Sequence, residues 1–315
     1  MHLLRAVALC VMGTFLSGCG SIHSPAKSAG FTPADRASTE KTTAADTQPM
    51  LTLETQKPKM DSAANPGYTE PLFSKEYGKL LLLDGQHIAT APFHWDGKQW
   101  LWAGAAGGGL VAMSLLDKQF ASFVGRNHNS TTEKIASNID PFGAEYSIGV
   151  LGAFYVGGAV LQNPKARAVA QDGAAASLIA SGIISPSLKL AFGRARPGQG
   201  SSAHDFSFFN THDTAFPSGH TTQAFAVASV IAAHYDSIWI KSAAYGVASL
   251  VGYSRIQRNR HWGTDVAAGA LIGSLVGNSV VRFNQEHRAE HAQSAFYFIP
   301  SFDGEMAGLS VMYRF

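Results

Sequence analysis

Residues 217–235 read PSGHTTQAFAVASVIAAHY. Proline is well placed at the start of a helix, because the N–H it lacks would have no intrahelical partner there. From Pro217 an apolar run carries the helix to about residue 235. The amides of Ser218 and Gly219 then stand at the positive end of the helix dipole, where oxyanions bind. His220 lies beside them, placed to move a proton. Read alone, Pro-Ser-Gly-His is also an ordinary helix cap, so its meaning rests on its surroundings.

Those surroundings are helical. Stretches rich in Ala, Gly, Leu and Val predict further helices near 99–118, 144–161, 166–192, 238–254 and 264–284, with boundaries at Pro164 and Pro197. Before them, the apolar run Leu80–Leu83 is followed by Asp84-Gly85, a turn signal. After them, 295–302 and 305–315 are strand-like around Asp303-Gly304. The expected fold is all-α, a bundle of about six core helices over residues 69–285. A short C-terminal β-hairpin in 286–315 packs on the helical domain.

The N-terminus carries an address. Met1–Arg5 is a positive segment, and Ala6–Leu16 is an apolar run too short to anchor a chain across a bilayer. Leu16-Ser17-Gly18-Cys19 resembles a bacterial lipoprotein signal, with an ordinary secretory signal as the plainer alternative. The resemblance implies a signal peptide over 1–18, lipid on Cys19 and a place on the periplasmic side of the outer membrane. Residues 19–68 hold little that can be buried and read as a flexible tether. Cys10 and Cys19 are the two cysteines, so removal of the first excludes an intrachain disulfide. A net charge of +2 with 15% charged residues argues against a nucleic-acid partner.

Three clusters carry chemistry. The first is Lys189-Leu-Ala-Phe-Gly-Arg-Ala-Arg196-Pro197. If the helix continues, Lys189 and Arg196 lie two turns apart on one side, an ammonium and a guanidinium suited to a tetrahedral oxyanion. The second is Pro217–His220. The third is Ser254-Arg255, then His261 and Asp265. On a first helical turn His261 and Asp265 are neighbours. A carboxylate on one ring nitrogen fixes the tautomer and leaves the other nitrogen free to attack. Arg255 adds a third cation, while Arg258 and Arg260 read as rim residues. The pairs His204-Asp205 and His212-Asp213 read as exposed loop, and Phe206, Phe208 and Phe209 as lining for the mouth of a pocket.

Together these clusters match the signature of the PAP2 (type 2 phosphatidic acid phosphatase) superfamily at all eleven specified positions, which makes coincidence a poor account. The resemblance covers roughly Pro71–Arg282. It implies a metal-independent phosphatase with no cofactor, acting on phosphate monoesters or lipid (pyro)phosphates through a phosphohistidine. His261 attacks, Asp265 orients it, and His220 protonates the leaving oxygen. Lys189, Arg196, Ser218, Gly219 and Arg255 hold the phosphoryl group. The expected partners are a phosphorylated small molecule or lipid and, through the anchor, a membrane. Two alternatives stand beside this: a polytopic lipid phosphatase within the bilayer, and a vanadium-dependent haloperoxidase. Mean hydropathy of +0.02 and short uncharged stretches lean toward a soluble bundle on a tether.

Overall fold

The computed structural model describes residues 71–72, 74–199, 202–212 and 214–293, and the strand backbones 296–303 and 306–313. The segments read as signal peptide and tether, Cys19, Asp213 and Gly304 lie outside the described residues.

Helix α1 spans Lys75–Thr90, with Ser74 as cap accepting from the Tyr77 amide. It runs straight through Asp84-Gly85, where a turn was expected. Asp84 is buried and its carboxylate meets Asn284 Nδ2 from the last helix at 3.4 Å, so a tertiary partner overrides the local turn preference. Helix α2, Gly97–Ser114, opens on a reciprocal cap between Asp96 and Gln99. Two short helices absent from the sequence reading follow: α3, Asp117–Arg126, and α4, Ser130–Ile139. Asn129 caps α4 through the Thr131 and Thr132 amides. A 3-10 turn, Asp140–Gly143, leads into α5, Glu145–Val160.

A long helix carries the first motif. It comprises α6, Pro164–Ser177, a π-helical stretch Leu178–Ile184, and α7, Ser185–Phe192. It stops at Gly193, whose φ of 51° is left-handed. A Cβ there would lie 1.9 Å from the Ser207 carbonyl oxygen, so the position accepts glycine alone. Then come α8, Gly219–His234, α9, Ile238–Gln257, and α10, Gly263–Gln293. Strands β1, Phe296–Asp303, and β2, Met306–Tyr313, pair antiparallel with Phe296 opposite Tyr313.

Helix α8 is the axis of the bundle and is buried over 221–230. Ala226 and Val230 join Val169, Ala176 and Ile179 of the long helix and Val276 and Val280 of α10 in the main core. Phe225 and Ala228 meet Ala248 and Val251 of α9 in a second cluster. Helices α8 and α10 run parallel and nearly touch. A Cβ on Gly269 would lie 2.7 Å from the Ser218 carbonyl oxygen, one on Gly273 2.3 Å from that of Thr222, and one on Gly277 2.7 Å from that of Ala226. Glycine every fourth residue therefore lets the two backbones close together, which drives both helix N-termini into one place.

This predicts that Gly273→Ala forces the helices apart. Against the usual gain from glycine to alanine in a helix, it should cost about 1–3 kcal/mol as overpacking. Gly104→Ala, with nothing within 4 Å of its new methyl, should be neutral or stabilising. Thermal unfolding of both variants checks this, and equal midpoints would refute the close-packing account.

Candidate active site

His261 lies in the turn between α9 and α10 and is buried. Its Nδ1 lies 2.7 Å from the Ala215 carbonyl oxygen. A carbonyl only accepts, so Nδ1 carries the proton and Nε2 keeps its lone pair. The sequence reading gave that task to Asp265, and in the structure the Ala215 carbonyl is the nearer partner of Nδ1. Asp265 Oδ2 lies 3.7 Å from Nδ1, near enough for charge but too far for a hydrogen bond. That carboxylate is engaged elsewhere: Oδ2 accepts from the Trp262 amide at 2.8 Å and Oδ1 from Arg194 at 2.6 Å. Burial holds the His261 imidazole below its ordinary pKa. Asp265 opposes this, and the Lys189 and Arg255 charges add to it. The ring is neutral near pH 7.

The three cations arrive from three elements. Lys189 sits in α7, and its Nζ donates to the Thr214 carbonyl. The helix ends at Phe192, so helical spacing does not carry Arg196 to the same face as expected. The 194–216 loop brings it there instead, and Arg196 Nη2 donates to Thr214 Oγ1 at 3.0 Å. Burial and then the neighbouring Arg260 and Arg255 lower the Arg196 pKa, the mark of a positive pocket that favours an anion. Arg255 closes α9. Its Nη1 meets both Asp140 oxygens at 2.6 Å, while its buried Nε has no hydrogen-bond partner among the described residues. Asp140 also takes Arg258 Nη1 at 2.8 Å, so Arg258 is tied in rather than loose at the rim.

The motifs lock to one another. The Ser218 amide donates to the Asp265 carbonyl at 2.9 Å, so it is not the free anion-binding group the sequence suggested. Ser218 Oγ accepts from Thr221. Trp262 Nε1 donates to the Ala195 carbonyl at 2.9 Å, joining the third motif to the first. Arg194, two residues before Arg196 and unassigned from sequence, is 1% exposed and binds Asp117, Thr264 and Asp265.

His220 stands in the first turn of α8 against Gly143, where a Cβ would lie 2.7 Å from the histidine's own Cβ. It lines a cleft of about 560 Å³ with Ala144, Ile148, Leu178, Gly182 and Gln223. The π-helical stretch forms one wall, a winding often found at functional sites. Phe206, Phe208 and Phe209 are exposed in the loop beside Arg194, and the first two stack. His204 and Asp205 are exposed too, with Asp205 capping the Ser202 amide. His234, at the far end of α8, pairs with buried Asp172 at 2.8 Å.

Sequence reasoning missed Asp140, Asp117 and Arg194. No local pattern marks the first two: Asp117 is followed by Lys118 and Gln119, and Asp140 follows Ser137-Asn138-Ile139 and precedes Pro141. For Asp140, burial raises the pKa but hydrogen bonding and charge from Arg255 outweigh it, and the net value is lowered. Its contribution to stability is therefore full above the ordinary carboxyl range and lost as pH falls through the depressed value. Removing it as Asp140→Ala should cost roughly 3–5 kcal/mol, because Arg255 is left buried without its partner. It should also blunt the acid-unfolding transition. Denaturant melts between pH 3 and 7 test this, and an unchanged pH dependence would refute it.

Comparison with known proteins follows the same residues. Residues 173–289, which contain all three motifs, match the family model for the PAP2 superfamily. A lipid A 1-phosphatase of Porphyromonas gingivalis is 45% identical over 91 residues, covering 28% of this chain and 18% of that protein. The match thus spans less than a fifth of that relative. Among solved structures, LpxE of Aquifex aeolicus is 24% identical with a TM-score of 0.43, covering 53% of this chain and 95% of the other. A transmembrane PAP2-type phosphatidylglycerolphosphate phosphatase of Bacillus subtilis is 19% identical with a TM-score of 0.43, covering 68% and 98%. The stretch 173–289, which joins the three motifs in one buried site, is thus similar to the PAP2 superfamily.

Proposed function

We propose that this protein is a metal-independent phosphatase of lipid phosphates that works through a phosphohistidine on His261. The observation that carries the reading is the pairing of a neutral, Nδ1-protonated His261 with Lys189, Arg196 and Arg255, the last holding a spare buried donor. Nε2 attacks phosphorus and forms the N–P bond. The P–O bond to the alcohol breaks, and His220 gives that oxygen its proton. The leaving group departs on the side of the cleft that His220 lines. Water, deprotonated by His220, then attacks the phosphohistidine, releasing phosphate and restoring the imidazole. The three cations and the Gly219 amide neutralise charge on the phosphoryl oxygens, the task metal ions perform in other phosphatases. A lipid phosphate is favoured because the cleft beside His220 has Ile148 and Leu178 in its walls, and because the relative from P. gingivalis is a lipid A 1-phosphatase.

A specific observation favours the bilayer-embedded alternative over a soluble domain on a tether. Trp100, Trp102, Val111, Ile148, Val160 and Trp239, on α2, α5 and α9, are all more than half exposed. Soluble monomers rarely show so much apolar surface. Helix α5 carries Glu145 alone among charged residues, and Pro164–Phe192 and Gly263–Ala289 are long and apolar enough to cross a membrane. We read the bundle as seated in lipid, with any lipid on Cys19 a second attachment.

Two outcomes are expected. His261→Ala loses turnover by on the order of 10³-fold or more and cannot be labelled by substrate phosphate after acid quench, while His220→Ala slows turnover by about 10²–10⁴-fold. Phosphate label on His261→Ala would sink the assignment. Cys19→Ser stays in the membrane fraction through a carbonate wash; its release would return the reading to an anchored soluble domain.

A further inference from the structure

The largest of the fully buried side chains is a cation outside the set that holds phosphate. Arg194 spends its N–H groups on fixed acceptors: Nε and Nη2 on the Ala203 carbonyl at 3.0 and 2.6 Å, Nη1 on Thr264 Oγ1 at 2.7 Å and Asp265 Oδ1 at 2.6 Å, and Nη2 on Asp117 Oδ2 at 2.7 Å. Asp117, at the start of α3, grips the first turn of α10 as well, taking the Thr264 amide at 2.9 Å and the Thr264 hydroxyl. The guanidinium lies over the rings of Phe206 and Trp262 at 5.4 and 5.8 Å, which keep water away. One cation thus serves two buried carboxylates. Such a group is a poor source of net stability, since desolvation offsets attraction. Its geometric effect is definite: it fixes which way the Asp265 carboxylate turns, with Oδ1 held by the guanidinium and Oδ2 toward His261.

We propose that Arg194, backed by Asp117, is a positioning residue that holds the Asp265 carboxylate where it stabilises the positive charge His261 acquires on attack. The inference rests on His261 being the nucleophile. Among the described bonds Arg194 reaches Asp265 and none reaches His261, so its effect on the ring passes through Asp265. The network is also a charge relay of fixed sign. Arg194 withdraws part of the Asp265 charge from the ring, and Asp117 returns part of it. The other charged or titratable groups facing His261 are Lys189 from α7, Arg255 from α9 and His220 from α8, and none of them touches Arg194 among the described bonds.

The test is the pH dependence of kcat/KM with p-nitrophenyl phosphate, whose good leaving group has little need of the His220 proton. Activity is lost as pH falls and His261 takes a proton. Arg194→Gln leaves Asp265 uncompensated, so the acidic limb should move up by about 1 pH unit. Asp117→Asn leaves Arg194 wholly to Asp265, so the limb should move down. Arg194→Lys keeps the charge but not the fork, so the limb should stay near wild type while kcat falls. A merely structural role does not move the limb in opposite directions for two residues of one ion pair. Limbs that coincide with wild type, or shift the same way, overturn the proposal. So does failure of both Arg194→Gln and Asp117→Asn to fold, which would mark the network as scaffold. A wild-type protein that releases no phosphate would instead sink the parent reading, a different result.

Discussion

The near-contact of α8 and α10 is the constraint on which the site depends. Gly269, Gly273 and Gly277 remove three side chains from one face of α10, and the carbonyls of Ser218, Thr222 and Ala226 fill the space. Because the helices run parallel, their N-termini meet, and so do the two motifs that begin them. Two helix dipoles then point their positive ends toward one spot. The Ser218 amide and the Asp265 carbonyl complete the junction. The cations of the first motif and of α9 are added around a place that two backbones have already made electropositive.

Positive groups gathered before a substrate arrives repel one another, and the structure meets that problem with acids set behind them. Asp140 holds Arg255 and Arg258, and Asp117 with Asp265 holds Arg194. Lys189 and Arg196 are steadied by neutral groups of Thr214. Each side chain is thereby fixed in direction without surrender of its charge. Preorganisation of this kind is what lets an active site stabilise a transition state with little rearrangement.

What the sequence made legible was local or spaced by a helix. The three motifs, the helix opening at Pro164 and the spans of the later helices follow from patterns within a few turns, whereas α8 opens at Gly219 behind its Ser218 cap, two residues after the expected Pro217. The misses are tertiary. Arg255 finds Asp140 across 115 residues and Arg194 finds Asp117 across 77, separations no window sees. Asp84-Gly85 has the composition of a turn and became helix because Asn284 supplies a partner 200 residues away. The His261–Asp265 pair stands side by side at 3.7 Å. Helical spacing places the two side chains together, but a backbone carbonyl from the loop before Pro217 reached the ring first. The glycine spacing in α10 was visible in the sequence and becomes meaningful only beside a second helix.

The bond from the Ser218 amide to the Asp265 carbonyl has a mechanical consequence. It makes the openings of α8 and α10 one stiff body, with His220 on one side and His261 on the other. The spacing between the two imidazoles is set by the backbone, in the manner of the jaws of a fixed-gap calliper, and in the proposed reaction that gap is the one between proton donor and nucleophile.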